Sequence, residues 1–168
     1  MADGTTYHLA QVNTGRLRAP IDDPLIAGFA GALEEVNALA DAAPGFVWRL
    51  QTEEGDATAI RAFEDDTILI NLSVWTSLEA LADYVYRSDH TFYLRRRSEW
   101  FERVHDTTVA LWWVPAGHVP TEAEAVERLD HLGRHGPTAE AFTFRRPFAA
   151  PDGGSAPLAA DDRDVCPA

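Results

Sequence analysis

The sequence contains no lysine: every basic residue among its 168 is an arginine. Mechanisms that begin with a Schiff base on a lysine side chain are thereby excluded, pyridoxal phosphate chemistry among them, and so is a Walker A phosphate loop. Cysteine is almost as scarce. With Cys166 alone, neither an internal disulfide nor a multi-cysteine zinc site can form, and a reducing cytoplasm is the expected compartment. No apolar run is long enough to span a bilayer, and no basic-then-apolar leader follows Met1, so neither a membrane anchor nor a secretory signal is expected. Positive charge is in short supply as well, 14 basic against 27 acidic residues for a net charge of −13, which repels phosphate backbones and anionic lipids. Nucleic acid and membranes are not expected partners. The patterns G-x-G-x-x-G, G-x-S-x-G and H-E-x-x-H are all missing, and with them the common dinucleotide, hydrolase and metalloprotease signatures.

What is present is a chain 46% hydrophobic, enough for one globular domain over residues 1–148. From Ala149 the composition turns to Ala, Pro, Gly and Asp, with four Asp against one Arg, and residues 149–168 read as a disordered acidic tail. Alternation predicts a strand over Tyr7 to Asn13, followed by turn signals at Gly15 and Pro20. Asp22 or Asp23 caps a helix with Pro24 in its first turn and Leu25, Phe29, Leu33, Val36 and Leu39 at helical spacing. Strands are predicted over Phe46 to Gln51 and Thr67 to Trp75, a Ser77-capped helix and a second one over His90 to Arg103, a strand over Asp106 to Pro115, and a charged helix from Pro120. A short edge strand at Phe142 to Phe144 completes the order. It predicts an α+β fold: a ferredoxin-like sandwich, an antiparallel sheet with helices on one face. In the third strand Ile68, Ile70, Leu72 and Val74 form a wholly apolar face. Two helices cannot cover both faces of the sheet, so a second subunit is the expected cover and a homodimer the expected assembly.

Several segments resemble a bacterial family known only as a domain of unknown function, DUF3291. They are Leu9-Ala10-Gln11-Val12-Asn13, Gly45-Phe46-Val47-Trp48-Arg49-Leu50-Gln51, Asn71-Leu72-Ser73-Val74-Trp75, Tyr86-Arg87-Ser88-Asp89-His90, and Leu111-Trp112-Trp113-Val114-Pro115-Ala116-Gly117-His118. The resemblance spans about residues 7 to 148. The segment from Trp75-Thr76-Ser77-Leu78-Glu79-Ala80-Leu81 through His90 is also similar to the wider dimeric α/β-barrel superfamily. That superfamily includes cofactor-free antibiotic-biosynthesis monooxygenases, haem-degrading monooxygenases, and cyclases or isomerases of aromatic polyketides.

On the helix predicted from His90, residues His90, Tyr93, Leu94, Arg97 and Phe101 share one face. An imidazole suits proton abstraction near neutral pH, and a guanidinium beside it can hold an enolate or phenolate as charge develops, which makes His90 and Arg97 the candidate catalytic pair. Gln11, Asn13, Asn71 and Ser73 place polar groups where a strand should be apolar. Either a ligand or an internal hydrogen-bond network must satisfy them, and with Tyr93 they are the candidate substrate-binding residues. Trp48 and Arg49 point to opposite faces of their strand, as do Trp112 and Trp113, so at most one of each pair enters a pocket; Trp48 and Trp113 are the candidates. Arg95 and Arg96 read as solvated surface. His131 and His135 have metal-ligand spacing but no third ligand nearby, so no metal is expected.

The expected protein is an enzyme acting on a hydrophobic, aromatic or polyketide-like small molecule through deprotonation by His90, as a cofactor-independent monooxygenase. Cofactor-free oxygenation needs a carbanion rich enough in electrons to reduce O₂ itself, which suits a chain with no cofactor motif. A haem-using variant would take His90 or His118 as axial ligand. The alternatives are a cyclase or isomerase of the same substrates and a non-catalytic small-molecule-binding dimer.

Overall fold

The computed structural model describes residues 4–153 other than 54, 57, 59, 61 and 105. Cys166 and the acidic tail from 154 onward lie outside the described residues. In chain order the elements are β1 (Tyr7–Arg16), a 3-10 turn at Pro24–Ile26, α1 (Ala27–Asp41), β2 (Phe46–Arg49), β3 (Ile68–Trp75), α2 (Leu78–Arg87), α3 (His90–Trp100), β4 (Val109–Pro115) and α4 (Glu122–His135). The strands pair antiparallel in the order β2-β3-β1-β4, which is the ferredoxin-like arrangement expected from the element order.

Local chemistry sets the element ends. The side chain of Asp23 accepts from the Leu25 amide at the 3-10 turn, Ser77 from Ala80 at α2, and Thr121 from Glu124 at α4, each satisfying a donor the helix leaves free. Gly45 turns the chain from α1 into β2 at φ 83°, in the left-handed region, and a Cβ there would overlap that of Ala80. Gly45→Ala is therefore expected to destabilise the fold by more than about 1 kcal/mol, which a urea melt will register as a lower midpoint at unchanged slope. Gly15 is not the turn residue expected. It lies within β1, which runs on to Arg16, and its missing Cβ lets the Phe101 ring and the Arg97 guanidinium lie against the strand backbone.

Cross-strand register sorts the side chains into two faces. Ala10, Val12 and Thr14 of β1 stand beside Val74, Leu72 and Ile70 of β3 and, for Ala10 and Val12, Trp112 and Ala110 of β4. This face is not open. Ala125, Leu129 and Leu132 of α4 cover it, with Ile60, Ala62 and Phe63 of the β2–β3 connection packed at its side, leaving Ile70, Leu72 and Val74 at most 3% exposed. The burial argument for a second subunit is thus corrected: α4 is charged on its outer side but carries enough small and apolar residues to seal the sheet within one chain. The other face carries Leu9, Gln11, Asn13 and Gly15, and α1, α2 and α3 lie over it. Its two ends are dry. At one, Leu9, Trp75 and Leu111 pack with Leu78, Leu81 and Phe142; at the other, Leu17 packs with Ile26 and Trp100. Phe142 and Leu111 exchange both backbone hydrogen bonds (2.8 and 2.9 Å), so the segment expected as an edge strand closes the β4 edge as a single bridge. The chain beyond Phe148 stays attached for a short way, since Ala150 is buried.

Candidate active site

Between those two dry ends the sheet is polar. Gln11 stands opposite Ser73 and Asn13 opposite Asn71, two neighbouring cross-strand pairs in the middle of the sheet. Above them lies a cavity of about 200 Å³. Gln11, Asn13 and Asn71 form its floor; His90, Tyr93, Leu94, Arg97 and Trp100 of α3 form one wall; Phe29, Leu33, Val36 and Asn37 of α1 form the roof. The apolar stripe of α1 explains why the cavity exists. Only Ala40 of that helix is fully buried: Leu33 and Val36 border the cavity, as does Phe29, whose ring also packs on Trp100 and edge-on to Phe101 at 5.0 Å.

Helical spacing brings the α3 residues together as expected. His90 begins α3 and is fixed on three sides: its ring lies 4.7 Å from that of Tyr84, its amide donates to Ser88 Oγ (3.1 Å), and Nδ1 is 3.5 Å from the Val85 carbonyl. A carbonyl can only accept, so this contact favours the tautomer with hydrogen on Nδ1 and leaves Nε2 as the basic nitrogen. Burial holds the imidazole pKa below its ordinary 6.5, outweighing the opposing Val85 contact. At neutral pH His90 is an uncharged base. Arg97, two turns along, stacks its guanidinium 5.0 Å from the Phe101 ring centre and reaches the Thr14 carbonyl at 3.5 Å. The Tyr93 phenol is held above its usual pKa, chiefly by a hydrogen bond to Glu35 of α1 and then by burial, and so stays protonated.

Ser73 lies beneath the floor, 6% exposed, donating to Gln11 Oε1 and accepting from Trp75 Nε1, both at 3.0 Å. Two candidates are elsewhere. Trp48 packs against the Ile70–Val74 face on the far side of the sheet, and Trp113 is on the near face but under Phe142 and Phe148, its Nε1 donating to the Phe148 carbonyl at 2.8 Å. The residue of the Trp48–Arg49 pair that borders the cavity is Arg49, opposite Ser73. Its guanidinium is committed to Asp41 (2.7 and 3.2 Å) and to the Gly55 carbonyl (2.7 Å), tying β2 to the end of α1 and to the loop at the cavity mouth. Strand alternation points to Arg49 as readily as to Trp48; no sequence signal marks the roof, whose residues look like ordinary core.

His118 is remote from the cavity, with Nε2 2.8 Å from Glu124 Oε2, so His90 is the one histidine bordering the cavity among the described residues. His131 and His135 stack at 4.6 Å, His131 Nε2 being bonded to Thr138 Oγ1, and no metal-binding group of three occurs among the described residues. No described helix is long and apolar enough to cross a membrane.

Among solved structures, SnoaB, a cofactor-independent oxygenase from Streptomyces nogalater, is 17% identical over 67% of this chain and 95% of its own, with a TM-score of 0.42. A conserved protein from Methanosarcina mazei Go1 is 14% identical over 65% of this chain and 92% of its own, with a TM-score of 0.44. A protein of unknown function from Nitrosomonas europaea is 12% identical over 70% of this chain and 99% of its own, with a TM-score of 0.45. No curated protein is similar in sequence. The family described as Domain of unknown function (DUF3291) matches residues 8–157, most of the chain, and the protein belongs to that family.

Proposed function

We propose that the cavity binds a hydrophobic, aromatic or polyketide-like ketone or phenol, and that His90 removes a proton from it as the first step of a cofactor-independent oxygenation. The observation that supports this most is the placement of a partly buried imidazole and a guanidinium on one wall, facing a floor of side-chain amides under an apolar roof. A flat ligand would lie against Phe29, Leu33 and Val36 with its oxygen toward the floor. Nε2 of His90 takes the acidic C–H proton, and Arg97 and the amides hold the resulting enolate. The carbanion gives one electron to O₂, the two radicals join as a hydroperoxide, and loss of water leaves a new carbonyl, so that CH₂ and O₂ become C=O and H₂O. The protein need only bind, deprotonate and exclude bulk water.

Anthrone, whose methylene is acidified by a conjugated carbonyl, tests the reading: O₂ uptake should match anthraquinone formed. Binding without O₂ uptake would leave a non-catalytic binding protein in its place. Because the base must be unprotonated and its pKa is lowered, the rate should fall with falling pH through a midpoint below 6.5 and be level near neutrality. A midpoint at or above 6.5 would assign the acid limb to another group. Arg97→Lys keeps the charge but loses the planar fork of donors and the stacking on Phe101, and should lower kcat/KM by at least about tenfold.

A further inference from the structure

We infer that Gln11 is a fixed hydrogen-bond donor that receives a carbonyl or phenolate oxygen of the ligand, its amide oriented from below by Ser73 and Trp75. The inference rests on the reading of the cavity as the substrate site and adds where the ligand's oxygen goes. Indole Nε1 of Trp75 can only donate, so it occupies a lone pair of Ser73 Oγ. The serine hydroxyl has one hydrogen of its own, and its acceptor at 3.0 Å is the Gln11 side-chain oxygen. The direction of the chain Trp75, Ser73, Gln11 is set by that hydrogen, whose one acceptor among the described residues is the Gln11 oxygen. With Oε1 committed to the serine, the Gln11 NH₂ group is left on the cavity side, 6% exposed as a residue and without a hydrogen-bond partner among the described residues. The nitrogen is open to the cavity rather than sealed in the core, so water meets it when the cavity is empty and an acceptor on the ligand takes that water's place. Rotating the amide would set its NH₂ against the second lone pair of Ser73 Oγ and leave the serine hydrogen without an acceptor among the described residues. The floor at Gln11 thus selects an oxygen acceptor over a hydrocarbon or a hydroxyl obliged to donate.

Two probes of one shape separate this from simple apolar packing: 1-tetralone, which carries a carbonyl, and tetralin, which does not. Affinity is read from quenching of tryptophan fluorescence, Trp100 being in the cavity wall. Wild type should prefer 1-tetralone roughly fivefold, the worth of one neutral hydrogen bond. Gln11→Met, unbranched and of similar length, should bring the ratio to about one. Ser73→Ala should lower it while Ser73→Thr, which keeps the hydroxyl, restores it, a pattern that loss of packing does not produce. Equal affinities in wild type, a preference that survives Gln11→Met, or no binding of either probe up to its solubility overturns the inference. A preserved preference without anthrone turnover would retain the Gln11 subsite and defeat the oxygenase reading, whereas turnover without a preference would do the reverse.

Discussion

Replacing His90 by alanine should reduce anthrone oxidation by at least about 10²-fold, the usual worth of a general base, with the fold intact. The ring is the one imidazole at the cavity among the described residues, so no neighbouring base stands ready to replace it. Its packing partner, Tyr84, has anchors of its own: the hydroxyl donates to the Val36 carbonyl (3.3 Å) and the ring stacks on Trp75 at 5.0 Å. The loss of stability should thus be near the ordinary cost of a point substitution, about 1 kcal/mol. Steady-state O₂ uptake with a thermal melt on the same sample separates the two effects. Near-normal turnover in a folded variant would remove His90 from the chemistry.

Trp75→Ala should have the largest effect on folding, about 3–5 kcal/mol in a urea titration, or roughly 10 °C in Tm. Trp75 is 1% exposed, edge-on to Phe46 at 5.4 Å and stacked on Tyr84, with Leu78 and Leu81 of α2 against it. It fills the angle between β3 and α2. A variant that melts like wild type and loses only ligand affinity would place the ring in the cavity wall instead.

How far the site can be read from the chain depends on what periodicity reports. The spacing of His90, Tyr93, Leu94 and Arg97 names one helix face without reference to the rest of the molecule, and the polar residues in β1 and β3 are conspicuous because a strand packed under helices should carry none. Alternation divides a strand into faces but is silent on what covers each face. That is why Trp48 and Arg49 were equivalent until the sheet was assembled, and why Trp113, on the near face, is nonetheless outside the cavity. The same silence produced the open face at Ile68 to Val74. The segment from Pro120 reads only as a charged helix, and its seal over that face comes from Ala125, Leu129 and Leu132, three positions whose significance depends on the tertiary placement of α4. Phe29, Leu33 and Val36 give the pattern of a packed helix, and only the three-dimensional structure reveals the void beneath them.

That void changes what a ligand is to this protein. For α1, the apolar body of a bound molecule is the missing layer of the core, laid down after folding rather than during it, so affinity and stability become two measures of one contact. A compound that binds the folded chain alone at 100 times its dissociation constant adds about 2.7 kcal/mol to the unfolding free energy. A collection of aromatic ketones and phenols can therefore be ranked by melting temperature with no assay for the reaction, and the physiological substrate sought as the molecule that completes the interior.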